Sequence, residues 1–322
     1  MNFDLLINNL TNPALLFFFL GLLSVQLKSD LEIPENSSKF ISLYLLFSIG
    51  FNGGQELSHS PFDAELLWSL LFGVALALVV PVYAFFILKK RMGVPNAGAI
   101  AAAYGSISAV TFVTAVSFLE IQEISFSGYM VAVMALMEAP SIIIGVLLMD
   151  MFGKGKTSSM PFGRILRHSV TNGSVVIILG SLIIGALATK SQAEGIKPFT
   201  TDIFKGFLAV FLLDMGITSG RKIKTLFEQG WFPILFAVIV PLINGSLVAV
   251  ISSVITNNPG NQFMFSILAA SASYIAVPAA MKMAAPGANP GLYVPMSLAI
   301  TFPFNITFGM PVYLMIINAM GS

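Results

Sequence analysis

The chain has 322 residues, of which 56% are hydrophobic and only 10% are charged, and its formal net charge is +1. Because soluble domains are roughly 25% charged, this composition excludes an ordinary soluble protein. The small net charge argues against nucleic-acid binding, and the lack of cysteine excludes disulfides, thiol catalysis and cysteine-bound zinc. We therefore predict an all-α membrane protein.

Ten apolar runs of about 20 residues, the length that crosses a bilayer, follow one another along the chain. They lie near residues 12–27, 37–57, 66–88, 96–119, 126–150, 169–189, 200–220, 231–255, 261–284 and 291–319. All but three of the 16 lysines and arginines fall in or beside the connections after odd-numbered runs, the exceptions being Lys190, Lys197 and Lys205. Since positive residues mark cytoplasmic loops, we expect both termini on the non-cytoplasmic side.

The first five runs resemble the last five. Shifts of 160 to 166 residues pair Gly54 with Gly220, Pro81 with Pro241, Ser106 with Ser271, Ser108 with Ser273 and Glu138 with Thr301. Five is an odd number, so the second copy would cross the membrane in the opposite sense. The sequence thus predicts a 5+5 inverted repeat, an arrangement of secondary transporters, with residues 1–152 and 169–322 joined by a cytoplasmic linker at 153–168.

Runs 4 and 9 each contain small and hydroxyl-bearing residues at mid-length, namely Tyr104-Gly105-Ser106-Ile107-Ser108 and Ala270-Ser271-Ala272-Ser273. Polar backbone at mid-membrane is tolerated only where it is buried in protein or lines a watery cavity. We predict that both helices break there and cross. Their half-helix N-termini would then face an anion, and their C-termini and freed carbonyls would face a cation such as Na⁺. The alternative for the serines is close helix packing.

The candidate residues follow from this geometry and from the intramembrane acids. Dipoles and hydroxyls suit a small monovalent anion, for which the candidates are Gly105, Ser106, Ser108, Ser271, Ala272 and Ser273. Buried acids usually line ion pathways, so the residues predicted to bind or support Na⁺ are Tyr104, Ser108, Glu138, Asp214, Ser271, Thr301 and Asn305. Asp214 would alternatively lie at the cytoplasmic boundary in contact with water. Enzyme motifs are missing, so we predict neither catalysis nor an organic cofactor.

Three segments, GSISAVTF at 105–112, MEAPS at 137–141 and ASASYIAVPAAM at 270–281, make the chain resemble the cyanobacterial sodium-dependent bicarbonate transporters of the SbtA type. The resemblance covers essentially the whole chain. It implies Na⁺-driven symport of bicarbonate across the plasma (inner) membrane, for inorganic carbon concentration. It also implies a homotrimer with an elevator mechanism, in which a core of spans 3–5 and 8–10 moves against a gate of spans 1–2 and 6–7.

Family members are also inhibited by a soluble, PII-like, nucleotide-sensing protein on the cytoplasmic face, although the linker at 153–168 is shorter than the resemblance implies. From the residues alone, nitrate, formate or another small carboxylate would suit the site as well as bicarbonate. A Na⁺/H⁺ antiporter of similar fold would be expected to place two carboxylates, or a carboxylate and a lysine, at the crossing, where this chain has serines. A non-transporting anion sensor or scaffold would be expected to carry a long cytoplasmic output domain.

Overall fold

The computed structural model describes residues 9–59, 63–153 and 171–321, together with positions 7, 163 and 167. Within these residues all regular structure is helical, as the composition predicts. Most of the predicted linker at 153–168, including Lys154, Lys156 and Arg164, lies outside the described residues.

The helices overlap the apolar runs of the sequence, and two runs contain a pair of helices. In chain order they are α1 (Pro13–Gln26), α2 (Glu35–His59), α3 (Ala64–Met92), α4 (Val94–Gly105), α5 (Ala109–Ile121), α6 (Tyr129–Phe152), α7 (Gly173–Leu187), α8 (Lys190–Lys197), α9 (Phe204–Phe227), α10 (Trp231–Ile251), α11 (Pro259–Ala270), α12 (Ala276–Ala284) and α13 (Pro290–Gly321). The short polar helix α8 was not predicted. It continues into α9 through a π-helical turn, and α13 contains two further π-helical segments, Met296–Thr301 and Asn305–Gly309.

Six helical stretches of the described chain are long and apolar enough to cross a membrane. They are Ala64–Met92, Val94–Ile121, Tyr129–Phe152, Lys190–Phe227, Trp231–Val254 and Pro290–Gly321. Helices α1 and α7 are apolar but shorter, and α11 and α12 are short because the chain leaves the helical conformation between them. The count of ten spans therefore stays a prediction.

The two interrupted runs have the same backbone plan. Helices α4 and α11 are both 12 residues long, and each is followed by a serine in extended backbone. Ser106 has φ −85° and ψ −178°, and Ser271 has φ −81° and ψ 165°. The chain becomes helical again after Ser108 and after Ile275. Both breaks occur at the polar patches noted in the sequence.

Small residues set the packing of the first helix group, in which α1 lies along α9 and α2 lies along α7. A Cβ added to Gly21 or Gly216 would collide with the backbone of the other helix, so these two glycines allow α1 and α9 to touch. A Cβ added to Gly50 would lie 2.9 Å from the Cβ of Ser181, which brings α2 against α7. Such close contacts are a main source of helix association where lipid is the solvent.

A second group packs α3, α4 and α6 together, and α10, α11 and α13 together. Pro81 lies inside α3 and has no N–H, which frees the carbonyl of Ala77 four residues earlier. Ser141 of α6 donates its hydroxyl to that carbonyl oxygen at 3.0 Å. Because an unpaired carbonyl is costly in a membrane, this bond holds α6 against α3.

The other half of the chain repeats this arrangement. Pro241 frees the carbonyl of Ala237 inside α10, and Thr301 Oγ1 of α13 donates to it at 2.7 Å. The contacts therefore pair Thr301 with Ser141, whereas the sequence alignment paired Thr301 with Glu138. The difference is three residues, less than one helical turn.

Candidate functional site

Helices α4 and α11 end beside each other in the interior of the protein. The Ser273 N–H donates to Ala103 O at 2.8 Å, and the Ser108 N–H donates to Ser271 Oγ at 3.1 Å. The serines at both breaks are at most 4% exposed. The structure thus brings the six candidate anion-binding residues together: Gly105 is the last residue of α4, and the other five lie in the two buried segments at 106–108 and 271–273.

Helices α5 and α12 begin next to these segments. The Ser108 hydroxyl accepts the Thr111 N–H at 3.1 Å, and the Ser273 hydroxyl accepts the Val277 N–H at 3.3 Å. Ser108 is thereby the N-cap of α5, whereas Ser273 lies two residues before Ile275, the N-cap of α12. Two helix N-termini, each with partial positive charge, therefore start at the crossing.

Side chains satisfy the carbonyl groups at the end of α11. Leu268 O accepts from Ser271 Oγ at 3.1 Å. Asn244 Nδ2 donates to Ala269 O at 3.2 Å, and Asn305 Nδ2 donates to Ala270 O at 2.8 Å. Since a helix leaves its last four carbonyls without internal partners, these donors complete the helix end and occupy the carbonyl oxygens.

The end of α4 is less completely bonded. Among the described residues, neither Tyr104 O nor Gly105 O has a hydrogen-bond partner outside its own helix. The buried Ser106 hydroxyl likewise has no hydrogen-bond partner in the described part of the chain. A Cβ on Gly105 would collide with the Pro81 ring, so the glycine lets α4 end directly against α3. These oxygens remain able to bind a ligand.

A small cavity next to the crossing contains the carboxylate predicted for Na⁺. Glu138 of α6 lines it together with Ser108 and Ser273, and α2 and α7 contribute Ser42 and Ser174. Its volume is about 20 Å³, and a volume of roughly 10–15 Å³ suffices for one water. Glu138 is 5% exposed, and no described residue bonds its Oε1. Sequence reasoning missed Ser42 and Ser174, for which the only signal was a hydroxyl within an apolar run.

The family model of the Na⁺-dependent bicarbonate transporter superfamily matches residues 13–318. The chain belongs to this family. The resemblance noted in the sequence is thereby confirmed. Membership and the apolar helices together make the chain a membrane transporter and not an enzyme. A search among curated proteins found no match.

Two predicted Na⁺ residues of this transporter bond to each other. Thr301 Oγ1 uses its only proton for Ala237 O, so Tyr104 OH must be the donor in the 2.7 Å bond between Tyr104 and Thr301. Both side chains are buried, and the bond joins α4 to α13. The side-chain amide of Asn305 also has a partner, because its Nδ2 donates to Ala270 O.

Asp214 of the transporter lies on α9 and is 7% exposed. Its carboxylate accepts a hydrogen bond from the Ser38 hydroxyl at the start of α2. It does not line the cavity around Glu138. Of the two intramembrane acids singled out in the sequence, only Glu138 therefore lines this cavity.

Proposed function

We propose that this transporter carries bicarbonate into the cell by symport with Na⁺. The observation that carries the proposal is the meeting of two broken helices beside oxygen atoms of Ser106 and Glu138 that are buried and have no partner among the described residues. Family membership supports both the anion and the coupling ion.

The donors around Glu138 suit Na⁺ as a substrate. Hard cations prefer oxygen ligands, and the cavity combines one carboxylate with four serine residues. A bound Na⁺ would offset the charge of Glu138, which is costly to bury alone. Transporters with broken helices commonly bind Na⁺ through unwound backbone carbonyls as well, and the end of α4 offers Tyr104 O and Gly105 O.

The anion would bind where α5 and α12 begin. Each helix presents unpaired N–H groups and the positive end of its dipole at the crossing, which suits a singly charged oxyanion. The hydroxyl of Ser106 adds a donor or acceptor on the same segment. Co-transport with Na⁺ would bring opposite charges into the same buried region, so each ion would favour binding of the other.

We further propose that the ten runs are ten spans in a 5+5 inverted repeat. The Gly21–Gly216 contact between α1 and α9 has a counterpart in the Ser181–Gly50 contact between α7 and α2. This exchange of partners is what a two-fold relation between the halves would produce. Asn12 and Asn172 also cap α1 and α7 in the same way, each accepting the N–H two residues later.

A second matched contact supports the repeat at the starts of the broken runs. Asn96 Oδ1 accepts the N–H of Asn289 at 2.8 Å, and Asn261 Oδ1 accepts the N–H of Ser127 at 2.7 Å. Asn96 and Asn261 are 165 residues apart, the same shift that aligns Ser106 with Ser271. Each asparagine bonds to the segment before the last long helix of the opposite half.

For the mechanism we propose an elevator, with α1, α2, α7 and α9 as the gate and the helices from α3 to α6 and from α10 to α13 as the core. A cleft of about 700 Å³ separates the two groups where α5 ends and α9 begins. It is lined by Asn52 of α2, Val116 of α5 and Val131 of α6. This cleft supplies room into which the core can move. The homotrimer and the PII-like regulator stay predictions from the resemblance.

Uptake of labelled bicarbonate into proteoliposomes tests the function. We expect accumulation when Na⁺ is higher outside, and little without a Na⁺ gradient. Unlabelled nitrate and formate, added as competitors, test the choice of anion. Na⁺-driven proton movement without bicarbonate uptake would instead indicate an antiporter, and bicarbonate binding without uptake would indicate a sensor.

A further inference from the structure

We infer that Asn244 and Asn305 are positioning residues for the segment at 271–273, and that each is itself oriented by a tyrosine hydroxyl. The inference deepens the proposed function, because it assigns to these residues the task of holding one side of the proposed ligand site. It rests on the carbonyl groups of Ala269 and Ala270, the last two residues of α11. The segment at 271–273 begins directly after them.

The first pair consists of Tyr83 and Asn244. Asn244 of α10 donates its Nδ2 to Ala269 O at 3.2 Å, and Tyr83 OH of α3 donates to Asn244 Oδ1 at 2.5 Å. An amide group can present either its oxygen or its nitrogen to a neighbour. Because the tyrosine hydroxyl binds the amide oxygen, the amide nitrogen is turned towards the helix end.

The second pair consists of Tyr313 and Asn305, both on α13. Asn305 Nδ2 donates to Ala270 O at 2.8 Å, and Tyr313 OH lies 3.2 Å from Asn305 Oδ1. The same hydroxyl lies 3.1 Å from Pro241 O, so its single proton serves two acceptors. Both side chains are fully buried.

Two glycines provide the space for the second pair. A Cβ added to Gly309 would lie 2.7 Å from Asn305 Oδ1 and 3.1 Å from Tyr313 OH. A Cβ added to Gly245 would collide with the Tyr313 ring. Asn305 also begins a π-helical segment of α13, a rare geometry that occurs frequently at functional sites.

These contacts assign the two asparagines a supporting role. In both pairs the amide oxygen accepts a tyrosine hydroxyl, which fixes the orientation of the amide group. The amide nitrogens in turn occupy Ala269 O and Ala270 O, the last carbonyls before the extended segment. That segment has no helical hydrogen bonds of its own, so its position depends on such external contacts, and a binding site needs its groups held to within about 0.5 Å.

The first measurement does not depend on which ion is transported. Hydrogen–deuterium exchange on the whole chain in detergent follows peptides covering 268–276 and, as an internal control, 176–186 of α7. We expect Asn244→Ala and Asn305→Ala to accelerate exchange at 268–276 by about fivefold, since a lost hydrogen bond is worth about 1 kcal/mol, and to leave 176–186 unchanged. Unaltered exchange at 268–276 would overturn the inference.

The second measurement asks whether the held segment serves the ligand. In proteoliposomes we expect both alanine variants to raise the KM for bicarbonate about fivefold with the maximal rate preserved, and the midpoint of thermal unfolding to fall by several degrees because buried partners lose their bonds. Faster exchange with an unchanged KM would show that the asparagines hold a segment that does not bind substrate. Absence of Na⁺-driven uptake by the unmodified chain would refute the proposed function and leave the exchange result standing.

A double-mutant cycle tests the role of the tyrosine, and its single variant Tyr83→Phe also covers the case in which an alanine variant does not fold. Tyr83→Phe deletes one hydroxyl and should raise the KM about threefold. On the Asn244→Ala background the same change should have no further effect, because Tyr83 acts through that amide. Additive effects would mean that Tyr83 acts independently of Asn244, which would overturn this part of the inference.

Discussion

Helices α4 and α11 have the same length and end in the same extended conformation, yet their last carbonyl groups have different surroundings. At the end of α11, asparagine side chains bond to Ala269 O and Ala270 O. At the end of α4, Tyr104 O and Gly105 O have no such donors among the described residues, and the neighbouring Ser106 hydroxyl is unpartnered there. A repeated backbone therefore carries two different chemistries.

This difference indicates that the ends of α4 and α11 have different roles in ligand binding. The proposed inverted repeat would supply two similar broken helices, but one small anion and one cation do not need two identical sites. The side chains of Asn244, Asn305 and Ser271 bond to the carbonyl groups at the end of α11 and hold that end in place. The side chains around α4 leave oxygen atoms available beside Glu138. We therefore expect substitutions on the α4 side to affect ligand binding directly, and those on the α11 side to affect it through the order of the segment at 271–273.

The largest effect is expected from Gly105→Ala. The added Cβ would collide with the Pro81 ring, and forcing extra atoms into a packed interior costs about 1–3 kcal/mol. Uptake should fall by at least about tenfold. Ala270→Gly at the equivalent position of α11 is the matched control and should retain most activity. Equal losses in both variants would contradict the distinction between the two ends.

Glu138→Gln should raise the Na⁺ concentration for half-maximal uptake by about tenfold, because Glu138 supplies the one acidic side chain among the described residues that line its cavity. Uptake measured over a range of Na⁺ concentrations gives this value directly. Glu194→Gln, on the exposed helix α8, controls for loss of a negative charge. If only the amount of protein fell and the Na⁺ dependence stayed the same, Glu138 would be structural.

Ser106→Ala and Ser271→Ala compare the two ends at equivalent positions. Ser106 bonds to no described residue through its hydroxyl, so its loss should raise the KM for bicarbonate about fivefold without lowering the unfolding midpoint. Ser271 bonds to both Leu268 O and the Ser108 N–H, so its loss should lower that midpoint by several degrees. Thermal unfolding and uptake on the same preparations separate the two responses. Identical behaviour would remove the basis for the comparison.

The sequence located the breaks because Gly105, Ser106 and Ser271 disrupt otherwise apolar runs, and such local signals survive without knowledge of the fold. It also singled out Glu138 as a candidate, since an acid in a membrane segment stands out, and this residue lines the cavity next to the crossing. It did not identify Asn244, whose partner depends on how α10 meets α11. Nor did it show that the side-chain amide of Asn305 bonds to the end of α11. Hydrogen-bond partners in distant helices leave no pattern along the chain.

Asp214→Asn should have a smaller effect than Glu138→Gln, although both remove an intramembrane charge. Asp214 accepts from Ser38 between α9 and α2 and does not line the Glu138 cavity. The Na⁺ concentration for half-maximal uptake should therefore change less than about twofold, because an amide oxygen can still accept the serine proton. A shift as large as that of Glu138→Gln would make Asp214 part of the cation site.

A further modest effect concerns the far end of the half-helix that follows α4. Glu120 at the end of α5 forms a 3.2 Å ion pair with Lys205 of α9, at the mouth of the cleft between the proposed core and gate. The position equivalent to Glu120 after α12 is Ala285, so the other half-helix has no such pair. Exposed ion pairs contribute about 0–1 kcal/mol, and here the side chains are 46% and 64% exposed. Glu120→Gln should therefore change the uptake rate less than about fivefold.

If the pair restrains the core, exchanging the two residues in Glu120→Lys/Lys205→Glu should restore the original rate. An exchange variant as altered as Glu120→Gln would show that α5 and α9 are not linked through this contact during transport.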